Sequence, residues 1–158
     1  MVVHNIAPVF DENSKKLILG SFPSVKSREE GFFYAHTQNR FWKVLANIFG
    51  EEIPKTIEEK KALLLRRGIA LYDVVFSCEI TGSSDASMKN VVPANLKAIV
   101  ENSKIKKVFV NGKTAEKYYI KYSENSLGIK CVTLPSTSPA NAAYSLEKLI
   151  SEWQAIKE

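Results

Sequence analysis

The sequence predicts an α/β domain, a three-layer α/β/α sandwich around a central four-stranded, mainly parallel sheet. Three observations carry this. Short β-branched runs alternate with segments of helical period along the chain, the pattern of a parallel sheet wrapped on both faces. Four such runs occur, Leu17–Gly20, Ile69–Val75, Lys107–Val110 and Ile129–Leu134, with largely apolar interiors. The 158 residues suffice for one real core and contain no linker, repeat or low-complexity tract, so residues 1–158 read as a single domain.

Each element has its own signal. Leu17–Gly20 is a buried strand. The first helix starts near Thr37–Asn39 and sets Phe41, Val44, Leu45, Ile48 and Phe49 on one stripe, with Gly50 as its stop. Thr56 and Glu59 form a capping-box pattern for a second helix that ends near Gly68. Ile69–Val75 is the next strand. Pro93 opens a helix carrying Leu96, Ile99 and Val100. Lys107–Val110 is a strand, and Lys113–Tyr122 a helix with Ala115, Tyr118, Tyr119 and Tyr122 on one side. Ile129–Leu134 is the last strand, and Leu146, Leu149, Ile150 and Trp153 give the final helix its apolar stripe.

Composition narrows the function classes. Hydrophobic residues make up 45% and charged residues 25%, ordinary values for a globular protein. No run of about 18 apolar residues occurs, so no transmembrane helix and no membrane role are expected. The N-terminus lacks a basic stretch followed by an apolar segment, so no secretory leader is expected and the location reads as cytoplasmic. Cys78 and Cys131 form no C-x-x-C pair and read as two reduced thiols. The net charge of +5 and a pI near 9.1 favour a polyanionic partner, with the basic residues scattered rather than blocked.

In open α/β sheets ligands bind beyond the carboxyl ends of the strands. Four segments meet there: Gly20-Ser21-Phe22-Pro23, Asp73, Asn111-Gly112 and Pro135-Ser136-Thr137-Ser138-Pro139. Small and polar residues at all four strand ends are what a site needs. Asp73 fits a catalytic carboxylate and a turn cap equally, whereas Asp85, in Gly82-Ser83-Ser84-Asp85, reads as a loop residue. Phe32, Phe33, Phe41 and Trp42 read as packing. Val110-Asn111-Gly112-Lys113-Thr114 imitates part of a phosphate-binding loop. That motif needs a glycine five positions before Gly112, where Lys107 stands, so nucleoside triphosphate binding is excluded.

Gly20-Ser21-Phe22-Pro23-Ser24, followed by Tyr34-Ala35-His36 and Asn39-Arg40-Phe41-Trp42-Lys43, resembles the uracil-DNA glycosylase superfamily, and within it the mismatch-specific uracil glycosylases. Leu134-Pro135-Ser136-Thr137-Ser138-Pro139 resembles the second superfamily motif. Two positions depart from the uracil-excising relatives. Phe22 stands where they carry the Asn or Asp that positions water, and phenylalanine cannot do so. Leu134 stands where they carry His or Asn. Both changes resemble the hypoxanthine-DNA (deoxyinosine) glycosylase branch. There the resemblance implies that Asn39 is the catalytic amide and that Asn111 is a second one.

What the resemblance implies is a monofunctional glycosylase that flips a deaminated base, hypoxanthine first, out of DNA and hydrolyses its glycosidic bond. Gly20, Ser21, Phe22, Pro23, Tyr34, His36, Asp73 and Asn111 would form the base pocket. Backbone N–H groups of Gly20–Phe22 would face a base oxygen, Tyr34 would stack on the ring, and Asn39 would orient the water or bond the base edge. Ser24, Lys26, Arg28, Arg40, Lys113, Ser136, Thr137, Ser138, Pro139 and Asn141 would meet DNA, the hydroxyls and cations at phosphates and Pro139-Ala140 as a wedge. No lysine is indicated as a Schiff-base nucleophile. No metal or cofactor is expected, and the chain is expected to act as a monomer on DNA containing deaminated bases. Competing expectations are a uracil or mismatch-specific glycosylase, a non-catalytic nucleic-acid-binding domain on the same fold, and an enzyme of free nucleosides.

Overall fold

The computed structural model describes residues 1–81 and 88–158, so Asp85 and its loop lie outside the described residues. The main sheet is built on β2 (Lys16–Gly20), which pairs in parallel with β3 (Ile69–Asp73) on one side and β6 (Lys107–Asn111) on the other. β7 (Cys131–Leu134) joins β6, again in parallel, giving the order β3-β2-β6-β7. Leu17, Ile18 and Leu19 are fully buried although neighbours on a strand point to opposite faces. Both faces are therefore covered, as an all-parallel sheet requires.

The covering helices fall into groups. α2 (Phe41–Phe49) packs on α7 (Leu146–Trp153), with the Phe41 ring edge-on to Trp153 at 5.8 Å. α3 (Ile57–Arg66) lies on β3. α5 (Lys113–Tyr122) follows β6 and packs on α6 (Glu124–Leu127), which in turn meets α4 (Leu96–Glu101). The local signals act as read. Thr56 Oγ1 accepts from the Glu59 N–H at 3.1 Å, and Glu59 Oε1 accepts from the Thr56 N–H at 3.0 Å, both halves of a capping box. Gly50 ends α2 in the left-handed region at φ 63°.

Four features depart from expectation. The run over 69–75 is two strands. β3 stops at Asp73, and the chain enters β4 (Val75–Glu79) of a second, antiparallel sheet with β1 (Val2–Val3) and β5 (Lys89–Pro93), in the order β1-β4-β5. Val74 and Val75 donate to the Gly20 and Ser21 carbonyls, so the backbone stays bonded while its partners change. Pro93 closes β5 instead of opening a helix, at a sheet edge that tolerates proline, and Asn95 caps α4. The first long helix begins at Phe41, not near Thr37–Asn39. A short helix, α1 (Val25–Glu30), precedes it; it has no apolar stripe, and Ser27 is its buried residue.

The register does the work that matters for a site. Gly20 lies beside Asp73, and Asn111 beside Leu134. The carboxyl ends of all four strands therefore finish at one level, on one rim.

Candidate functional site

That rim borders a cavity of about 230 Å³. It is lined by Gly20, Ser21, Phe22, Pro23 and Ser24 after β2, by Ser27, Phe33, Tyr34, His36 and Asn39 from the segment before α2, by Asp73 and Asn111 at strand ends, and by Ser136, Thr137, Ser138 and Pro139 after β7. All residues assigned to the base pocket are thus brought together, with Asn39 among them. Lys26, Arg40, Lys113 and Asn141 are not in the lining.

Asn39 sits in a turn whose N–H donates to the His36 carbonyl at 2.9 Å. Its Oδ1 accepts from the Phe41 N–H at 2.9 Å and from the Thr137 hydroxyl at 2.9 Å. A backbone N–H can only donate, so the oxygen of this amide faces the scaffold. The Nδ2 group, with no bond to another described residue, is the pole left for the cavity.

Thr137 is fully buried. Its N–H donates to Asn111 Oδ1 at 3.0 Å, its hydroxyl accepts from Asn111 Nδ2 at 3.0 Å, and its carbonyl accepts from the Arg40 N–H at 3.1 Å. This corrects its assignment to phosphate: a hydroxyl sealed from solvent with its proton given to Asn39 cannot reach DNA. Arg40 is half-buried and is also engaged within the protein. Its guanidinium donates to the carbonyls of Tyr144, Ser138 (2.8 Å) and Asn141 (3.0 Å), so it braces the loop before α7. Asn141 belongs to the same brace, donating from Nδ2 to the Ser136 carbonyl at 3.0 Å. Ser24 caps α1, accepting from the Ser27 N–H and giving its own proton to Ser27 Oγ, both at 3.2 Å, which leaves none for a phosphate.

The remaining residues form walls and rim. The Tyr34 ring stacks on Phe41 with centroids 4.2 Å apart, so a base would meet its other face. Tyr34 holds φ 53°, a conformation rare outside glycine. Phe22 is buried beneath the Arg28 guanidinium, 5.7 Å from its ring centroid. His36 is exposed, its Nδ1 accepting from the Gln38 N–H. Ser136 and Ser138 accept from the N–H groups of Ser138 and Ala140, and Pro139 and Ala140 are exposed beyond them. Gly112 is required where it stands, because a Cβ there would meet Ser136 Cβ at 3.1 Å and φ is 95°. Lys26 is paired with Glu30 on α1, and Lys113 is an exposed cation at the start of α5.

Asp73 is buried at 3% exposure, and its partner is His4, which no sequence signal pointed to. A lone histidine after two valines has neither motif nor period. The His4 ring packs among Phe22, Phe33 and Tyr72, and its Nδ1 accepts from the Ile6 N–H at 3.2 Å. The ring proton therefore sits on Nε2, which donates to Asp73 Oδ2 at 2.8 Å. The other oxygen, Oδ1, lies so close to Gly20 that a Cβ there would clash with it. Burial, and then the Asp73 carboxylate, raise the neighbouring Tyr72 phenol above its ordinary value.

The site thus offers amide donors, one carboxylate acceptor and aromatic walls, the requirements of a planar heterocycle with both donors and acceptors on its edge. Among the described residues no group of three or more His, Cys, Asp or Glu is placed to hold a metal ion, and no helix is long and apolar enough to cross a membrane.

Comparison with known proteins gives the same direction. The pattern of the uracil DNA glycosylase superfamily matches residues 7–157. The chain is 30% identical to a hypoxanthine DNA glycosylase of Methanosarcina acetivorans over 158 residues, covering 99% of this chain and 98% of the relative. It is 33% identical over 150 residues to a hypoxanthine DNA glycosylase of Methanosarcina barkeri, covering 92% of each. A solution NMR structure of a Methanosarcina acetivorans protein assigned to the uracil DNA glycosylases superposes with a TM-score of 0.84 at 30% identity, covering 99% of this chain and 97% of that one.

Proposed function

The chain belongs to the uracil DNA glycosylase superfamily and is a DNA glycosylase; on that premise we propose that it releases hypoxanthine from DNA. A base stacked in a duplex is out of reach, so it must be everted into the cavity at a cost of a few kcal/mol. Breaking the glycosidic bond then leaves positive charge on the sugar and negative charge on the departing base. Donors aimed at the base stabilise that charge as it grows.

The observation that carries this reading is the fixed orientation of Asn39. Two donors occupy its oxygen, so it acts through Nδ2, donating to the base edge, and it is no acceptor for the proton of an attacking water. Asn111 Nδ2 spends one proton on Thr137 and keeps the other for the same purpose. Asp73 Oδ1 supplies the complement, an acceptor for a ring N–H. Hypoxanthine carries an N–H at N1 beside its carbonyl, whereas adenine presents a lone pair there, which the carboxylate repels. The negative charge of Asp73 opposes an anionic base, so its role is selection rather than acceleration.

Among the described residues no lysine lines the cavity, which supports hydrolysis without a Schiff base or strand cleavage. We infer a monomer acting on DNA that contains deaminated bases. The exposed Pro139-Ala140 tip and Lys113 are the DNA-facing features. The test is single-turnover release from duplexes bearing one deoxyinosine, deoxyuridine or deoxyxanthosine. Deoxyinosine is expected to be cut fastest, and release of uracil alone, or of no base, overturns the proposal.

A further inference from the structure

We propose that Thr137 is a positioning residue: its buried hydroxyl sets the direction of both pocket amides, and base release depends on it. The inference rests on the glycosylase reading, in which Asn39 donates to the departing base. The hydrogen positions follow from chemistry alone. The Phe41 N–H fixes Oδ1 of Asn39, and the Thr137 N–H fixes Oδ1 of Asn111. With both ends set, the hydroxyl between them has one arrangement, accepting from Asn111 Nδ2 and donating to Asn39 Oδ1.

Three consequences follow. Rotating the Asn39 amide by half a turn would present an acceptor to the base, and the hydroxyl opposes that rotation because it would lose its own acceptor. A carbonyl that accepts two hydrogen bonds draws electron density from its nitrogen, so the Nδ2 protons become better donors. Threonine is stiff at χ1, and here it is fully buried with its carbonyl tied to the Arg40 N–H, so the hydroxyl does not wander. The loop after β7 thereby locks an amide that precedes α2 to an amide at the end of β6, 26 residues before Thr137. Thr137 touches no base in this account; it acts through Asn39 and Asn111.

The full-length protein is compared as Thr137→Ser, Thr137→Ala and Thr137→Val on a duplex with one deoxyinosine. Single-turnover rate, DNA affinity and thermal unfolding are measured for each. The alanine and valine variants are expected to lose at least about tenfold in rate, of the order that small misplacements produce, with affinity within about threefold of the parent. The serine variant is expected to stay within about threefold in rate. Serine and alanine differ by the hydroxyl alone, so packing lost with the methyl cancels between them, and this pair decides even if the valine variant fails to fold. Added to Asn39→Ala, the alanine change is expected to cost much less than it does alone, because residues acting through one another are not additive. An alanine variant with the parental rate, or a serine variant as slow as the alanine one, overturns the inference. Full activity of Asn39→Ala instead removes the glycosylase role on which it rests.

Discussion

His4 Nε2 donates to Asp73 Oδ2 at 2.8 Å across 69 positions of sequence, and both side chains are buried. One bond therefore ties the N-terminal segment, entering through β1, to the floor of the cavity. Replacing His4 by Phe fills the space but leaves the buried carboxylate short of a donor. A buried polar group left unsatisfied costs about 1–3 kcal/mol, more when charged. His4→Phe is expected to lose at least that much in chemical denaturation, with His4→Gln, which keeps a donor, in between. A His4→Phe protein as stable as the parent would show that Asp73 needs no such support.

The same bond makes Asp73→Asn informative. With the His4 N–H facing it, the new amide turns its oxygen to the imidazole and its NH₂ toward the cavity. An acceptor becomes a donor without change of shape. Release of hypoxanthine at limiting enzyme is expected to fall at least about tenfold, equivalent to roughly 1.4 kcal/mol of lost binding of the everted base. Discrimination against adenine is expected to narrow in paired assays of deoxyinosine and deoxyadenosine duplexes. An unchanged ratio would remove Asp73 from base selection.

Asn39→Ala is expected to slow single-turnover release by about 10²-fold, near 3 kcal/mol, while DNA affinity changes little. Asn39→Asp separates two roles. A carboxylate at 39 still accepts from Phe41 and Thr137 but turns a charged acceptor to the base. If Asn39 donates to the base, aspartate is at least as damaging as alanine. If the residue served to activate water, aspartate would retain more activity, and that ranking would refute the donor role.

The parallel sheet was legible because strand and helix periods alternate and because α2 carries an uninterrupted stripe, Phe41, Val44, Leu45 and Ile48, all buried. The cavity was legible because Gly20, Asp73 and Asn111 end strands. The second sheet was not, since Val74 and Val75 look alike as sequence while changing partners. Thr137 and Arg40 show the deeper limit. Residue type says that a hydroxyl or a guanidinium suits phosphate, but only burial and bond partners say that these two are spent inside the loop. His4 was invisible because its meaning lies wholly in a contact 69 positions away.

Acid should weaken the start of α3. N–H groups of Thr56 first, and Lys55 next, hold the Glu59 carboxyl below its ordinary 4.5. A carboxyl lowered on folding adds stability above its unfolded value and loses it as pH falls through the folded one. Glu59→Gln keeps an oxygen for the Thr56 N–H but cannot titrate. The parent is expected to lose melting temperature faster than Glu59→Gln below about pH 5, with the two curves parallel above it. Parallel curves throughout would show that the capping box carries no acid sensitivity.

Arg40→Lys tests whether that residue meets DNA or only shapes what does. The guanidinium bonds three carbonyls of the loop before α7, a fork that a single ammonium cannot reproduce. Losing those bonds leaves half-buried acceptors to water and loosens the loop, at about 1 kcal/mol of stability. The loosened loop carries Thr137, so base release falls as well. A lysine retains the charge, so Arg40→Met completes the comparison. Removing a phosphate contact lowers the slope of log affinity against log salt by about 1. With Arg40 acting as a brace, both variants are expected to keep the parental slope while losing rate and stability. A slope reduced in Arg40→Met and restored in Arg40→Lys would return the residue to the DNA surface.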